Sequence, residues 1–84
     1  MNKKDISVIV QLGKRIAYLR SERNMSQLAL SIETGLSSSY LSDLEHGRRN
    51  PSVIVLEKIA IALGIHLDEL FKGVVSIEQL IREK

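Results

Sequence analysis

Eighty-four residues, 44% of them hydrophobic, make one folded domain with a modest core and exclude both a disordered tail and a two-domain chain. The absence of cysteine excludes disulfides and thiolate metal sites, and His46 and His66 stand too far apart to form a helical metal pair. Twelve Lys and Arg against ten Asp and Glu leave a net charge of +2, too mild for a binder that works by charge alone but sufficient if the basic groups gather on one face.

At the N-terminus, Ile6 to Val10 is too short and interrupted for a signal peptide, and no later apolar run approaches the roughly 20 residues that span a bilayer. The chain therefore reads as cytoplasmic, without a membrane partner. The first helix is expected to start near Asp5 or Ser7 and to run to about Arg23. Leu12, Ile16 and Leu19 form its apolar face, and Asn24 follows as a left-handed terminal residue. Ser26 caps a second helix, Gln27 to Thr34, with Met25 and Leu30 at hydrophobic-staple spacing. Gly35 stops it.

After the turn Gly35-Leu36-Ser37, Ser37 caps a third helix from Ser38 to His46, and Leu36 with Leu41 repeats the staple. Gly47 ends that helix, and Arg48-Arg49-Asn50-Pro51 forms a loop. Ser52 caps a fourth helix, Val53 to Leu63, which Gly64 stops. A short fifth helix covers about Leu67 to Phe71 and ends near Gly73. Ser76 with Gln79 then forms a capping box, and Val75 with Leu80 a third staple, ahead of a last helix through Ile77, Leu80 and Ile81. The expected fold is all-α, a five-helix bundle with a C-terminal helical extension. Residues 7–73 make the domain and 74–84 the extension.

Two short helices around a glycine turn, here residues 27–46, follow the helix-turn-helix plan, whose second helix enters the major groove. Such a helix needs hydrogen-bonding side chains on its outward face. Ser38, Ser39, Ser42 and Asp43 fall there, while Leu41 and Leu44 hold the opposite face to the core. The run from Gln27 to Gly47, the loop Arg48 to Ser52, and the later Leu63-Gly64-Ile65 and Leu67 to Phe71 resemble the Cro/lambda-repressor (XRE) helix-turn-helix family. The resemblance covers about Leu12 to Phe71. The short chain, with no added ligand domain, further resembles the controller proteins of restriction–modification systems.

That resemblance implies a lambda-repressor-like fold and a sequence-specific regulator that binds double-stranded DNA. It implies a DNA-phosphate contact at Gln27, base reading at Ser38, Ser39 and Asp43, a further DNA contact at Tyr40, and phosphate contacts at Arg48, Arg49 and Asn50. It also implies an ion pair between Arg20 and Glu45. Ser37 and Ser42 complete the expected DNA-facing set, with Ser37 also the helix cap. The chain departs from the family in carrying Ser38 where Arg or Gln is usual, Ser31 where Ala is usual, and Leu28 and Ile32 where polar residues are usual.

One recognition helix reads few base pairs. A homodimer reads a palindrome with half-sites about 34–36 Å apart. The C-terminal Val74, Val75, Ile77, Leu80 and Ile81 either pack on their own domain or form the dimer surface, with Ile65, Leu67, Leu70 and Phe71 as contributors. A second reading, an antitoxin or protein-interaction module of the same fold, rests on Leu28, Ile32 and Ser38. No nucleophile with a paired His, phosphate-cradling glycine loop or carboxylate pair argues for an enzyme, and no metal, cofactor or small-molecule ligand is expected.

Overall fold

The computed structural model describes residues 3–82, with side chains from Val8 to Arg82. Within them lie six helices: α1 (Lys3–Glu22), α2 (Gln27–Thr34), α3 (Ser38–Glu45), α4 (Val53–Leu63), α5 (Leu67–Leu70) and α6 (Ile77–Arg82). No strand interrupts them among the described residues. The first five make the bundle and α6 the extension.

The helix starts follow from three serines. Ser26 Oγ accepts from Ala29 N–H at 3.0 Å, Ser37 Oγ from Tyr40 N–H at 3.0 Å, and Ser52 Oγ from Val55 N–H at 3.1 Å. Each cap satisfies a donor that has no partner inside the helix and contributes about 1 kcal/mol. Asn24 and Gly35 take the left-handed conformation that lets the chain leave α1 and α2. The α1 start differs from expectation: the helix begins at Lys3, so Asp5 and Ser7 lie inside it. Cap-forming residues are tolerated within a helix, and no glycine or proline forces a later start.

The core gathers one apolar face from each bundle helix: Leu12, Ile16 and Leu19 from α1, Leu30 from α2, Leu41 and Leu44 from α3, Leu56, Ile59, Ala60 and Leu63 from α4, and Leu70 from α5. Met25 and Leu36, the two staple residues, pack against it. Leu70 is fully buried. This corrects its assignment to a dimer surface: its side chain fills the space between α4 and α1, and a partner cannot touch it.

Two arginines of α1, Arg15 and Arg20, and Arg23 just past its end tie the bundle to this helix. Arg15 Nε donates to Glu69 O at 3.0 Å, at the end of α5. Arg23 Nε donates to Leu63 O at 2.7 Å, at the end of α4, and its Nη1 to Leu19 O at 3.0 Å. Arg20 reaches α3. Carbonyls at helix ends lack partners within the helix, and a guanidinium there meets both that need and the negative end of the helix dipole.

Gly13 faces the α3 backbone. A Cβ at this position would collide with Leu44 O and lie 2.9 Å from Glu45 O. α1 and α3 therefore approach at a distance that only glycine allows. Gly13→Ala should destabilise the fold by about 1–3 kcal/mol through overpacking, outweighing the better helix propensity of alanine. A urea unfolding midpoint lower than that of the parent protein is the expected result.

Candidate nucleic-acid interface

α2, the turn and α3 are held as one unit by side chains of the turn itself. Thr34 Oγ1 donates to Leu30 O at 2.7 Å and accepts from Leu36 N–H at 3.1 Å. The Ser31 hydroxyl donates to Leu36 O across the same turn. Ser31 thus carries a turn contact that alanine would lack, which the sequence reading missed.

Leu41 and Leu44 are fully buried, and this turns the opposite face of α3 outward. Ser39 is exposed there, and Ser38, Ser42 and Asp43 are half-buried beside it. Among the described residues the hydroxyls of Ser38, Ser39 and Ser42 have no hydrogen-bond partner, so each can donate to or accept from a base edge. Ser37 stands at the end of this row, with its oxygen engaged by the Tyr40 N–H as a cap. His46, just past the helix, turns its Nδ1 back to Ser42 O at 2.7 Å, a pairing that belongs to the helix end.

Behind α3, Glu45 receives three hydrogen bonds. Arg20 Nε donates to Oε2 at 2.7 Å and Nη2 to Oε1 at 3.0 Å, while Gln27 Nε2 donates to Oε1 at 2.9 Å. Arg20 Nη1 also donates to Met25 O at 2.6 Å. The side chains of Arg20 and Glu45 are only 16% and 5% exposed, so this is a fork-to-fork pair largely screened from water. The hydrogen bond to Glu45 holds the Arg20 pKa above its ordinary value, against a smaller opposing effect of burial.

Gln27 was expected at a DNA phosphate. The structure places it at the α2 N-terminus with its amide anchored by Glu45. A carboxylate only accepts, so the amide NH2 must face it, and one N–H remains for a second acceptor.

The loop after α3 folds onto the outward face. Arg48 Nη1 lies 3.4 Å from Asp43 Oδ1, and Arg49 Nη2 lies 3.5 Å from Asp43 Oδ2. The Arg49 guanidinium sits 5.6 Å from the centroid of the Tyr40 ring, and Tyr40 packs against the core. Asn50 is exposed, and its side chain makes no hydrogen bond among the described residues. Ser38, Ser39, Ser42, Asp43, Arg48 and Arg49 are thereby brought onto or beside one helix face.

Sequence reading also missed the outer face of α4. Ile54 and Ile61 are 60% and 72% exposed, seven residues apart and so on one side of the helix, with Glu57 and Lys58 exposed between them. The signal in the sequence was the charged pair Glu57 and Lys58, which falls at i+3 and i+4 from Ile54 and so marks that side of an otherwise apolar helix as the outer one. Leu67, Phe71, Val75, Ile77, Leu80 and Ile81 are also exposed, while Ile65 and Val74 are half-buried.

These features define a helix-turn-helix protein. The helix-turn-helix family model HTH_3 matches residues 16–70, and the chain belongs to that family. It is a transcriptional regulator of this type, homologous to controller proteins and phage repressors. It is 38% identical over 66 residues to the control protein C.MunI of a Mycoplasma species, covering 77% of this chain and 89% of that protein. It is 42% identical over 73 residues to the immunity repressor of Bacillus phage phi105, covering 87% of this chain; it spans about half of that repressor, 48%. Among solved structures it superposes on the restriction–modification controller protein C.AhdI of Aeromonas hydrophila with a TM-score of 0.74 and 40% identity, over 75% of this chain and 96% of that one. These relatives are regulators rather than enzymes.

Removing the carboxylate behind α3 should cost more than an ordinary hydrogen bond. Glu45→Ala leaves the Arg20 charge poorly solvated and Gln27 unanchored, with an expected loss of roughly 3 kcal/mol, the low end for a broken buried pair. Thermal unfolding followed by circular dichroism checks this.

Proposed function

We propose that this chain acts in the cytoplasm as a homodimeric transcriptional regulator that binds a palindromic operator, in the manner of a restriction–modification controller or an autoregulatory repressor. The observation that carries the reading is the outward face of α3, where three hydroxyls without partners among the described residues stand beside Arg48 and Arg49. Hydroxyls and Asp43 address base edges, while Arg48, Arg49, Asn50 and the free N–H of Gln27 address phosphates. Ser37 serves chiefly as the cap that aims this helix.

The second copy docks through α4. In an antiparallel pair of α4 helices crossing between residues 57 and 58, Ile54 of one copy meets Ile61 of the other, and Glu57 meets Lys58. The surface is thus complementary to itself in both packing and charge, as a two-fold contact requires. Leu67, Phe71, Val75, Ile77, Leu80 and Ile81 are further exposed apolar residues that a second copy could cover.

Selection from randomised duplex DNA at a stated salt concentration tests the reading. A two-fold symmetric consensus is expected. No enrichment over bulk DNA would remove it, and would favour a protein partner on Leu28 and Ile32, which are 62% and 75% exposed.

Two variants follow. Arg48→Ala combined with Arg49→Ala should weaken binding to all sequences and flatten the dependence of log affinity on log salt by about 0.9 per lost phosphate contact. Ile61→Asp should convert the dimer to monomer in sedimentation velocity and weaken operator binding while leaving the helical circular dichroism spectrum intact.

A further inference from the structure

We infer that Asp43 couples base reading to phosphate binding, and so sets how well this protein tells its operator from other DNA. The inference rests on the DNA-binding reading above. In the free protein the Asp43 carboxylate is 31% exposed, and each of its oxygens faces one arginine, Oδ1 with Arg48 at 3.4 Å and Oδ2 with Arg49 at 3.5 Å. Arg49 is held from a second side by the Tyr40 ring at 5.6 Å. The Arg48 N–H donates to Asp43 O at 2.8 Å, which keeps the start of the loop against the helix.

Both arginines are partly neutralised where they would meet a DNA backbone. The pairs are long and exposed, hence weak, and a phosphate can displace them. Displacement leaves Asp43 as an acceptor-only group on the recognition helix with no donor. In the major groove a cytosine N4 amino group supplies a donor, whereas guanine presents only acceptors there. A site with an amino-bearing base, cytosine or adenine, at the right position therefore completes the exchange: arginines move to phosphate and Asp43 moves to the base. Where guanine or thymine stands there, the arginines leave and the carboxylate faces acceptors, the thymine methyl group or phosphate. Binding to arbitrary DNA, which is almost wholly a phosphate interaction, bears the cost without the return.

The test compares wild type and Asp43→Asn on a selected operator duplex and on a scrambled duplex of equal length, at one fixed salt concentration. Asp43→Asn should bind the scrambled duplex about tenfold more tightly, with operator affinity raised less or reduced, so that the specificity ratio falls by about tenfold or more. In a background of Arg48→Ala with Arg49→Ala, the same substitution should change scrambled-duplex affinity by less than half as much on a logarithmic scale. An unchanged scrambled-duplex affinity for Asp43→Asn overturns the inference. So does an equal gain in both backgrounds, which would mean that Asp43 acts only by direct repulsion. Asp43→Ala, with thermal melting of both variants, separates these outcomes from loss of fold. Wild type that binds neither duplex at low salt would instead remove the DNA-binding reading itself.

Discussion

Three hydrogen bonds onto one carboxylate, Glu45, set the geometry on which the interface depends. Arg20 brings α1 to the end of α3, Gln27 brings the start of α2 to the same point, and the contact from Arg20 to Met25 O fixes the chain entering α2. A fork-shaped guanidinium accepts few orientations of its partner, so the pair restricts the angle of α3 as well as its distance. The glycine at position 13 lets the helix axes come close enough for the fork to reach. A hydrophobic pair would pack such helices as firmly, since buried ion pairs seldom exceed apolar contacts in net stability. It would also leave the register of α3 against α1 less sharply defined. The side chains that face a groove project from a helix whose pose is fixed by polar geometry and whose stability comes from leucines.

Much of the scaffold was legible because its signals are local. Ser26, Ser37 and Ser52 announce helix starts through a hydrogen bond made three residues later. Asn24 and Gly35 announce stops through the backbone conformation they alone adopt easily. The pairing of Arg20 with Glu45 was visible only through family resemblance, since nothing in the spacing joins residues so far apart. The ties made by Arg15 and Arg23 left no trace at all, because they end on backbone carbonyls, and every residue carries one. The same holds for Ser31 and Leu36 O. α4 misled the reading for another reason. Apolar residues lie on most of its sides, and only the charged Glu57 and Lys58 mark the face shared by Ile54 and Ile61 off from the one that carries Leu56 and Ile59.

The arginines divide by task. Arg15 and Arg20 on α1 and Arg23 just past its end hold the neighbouring helices, Arg82 pairs with Glu78 one turn back on α6, and Arg48 with Arg49 sit beside the outward face of α3. The small net charge of the chain is therefore a poor measure of its field at the groove. Cations inside the bundle serve helix ends and a carboxylate, and their charge is already answered.

Gln11 adds a different kind of tie. Its amide donates to Val75 O at 2.9 Å and accepts from Val75 N–H at 2.9 Å, so one side chain occupies both polar groups of a single residue, as a neighbouring strand would. The segment leading into α6 is fastened at that rung, outside the leucine core. Local opening there exposes little apolar surface, and the rest of the domain need not open with it. In amide hydrogen exchange the Val75 N–H should therefore report detachment of the C-terminal segment, at rates insensitive to denaturant, while amides such as those of Leu41 and Ile59 report global unfolding. The first helix and the segment ahead of α6 thus share a latch whose breathing can be followed separately from the stability of the fold.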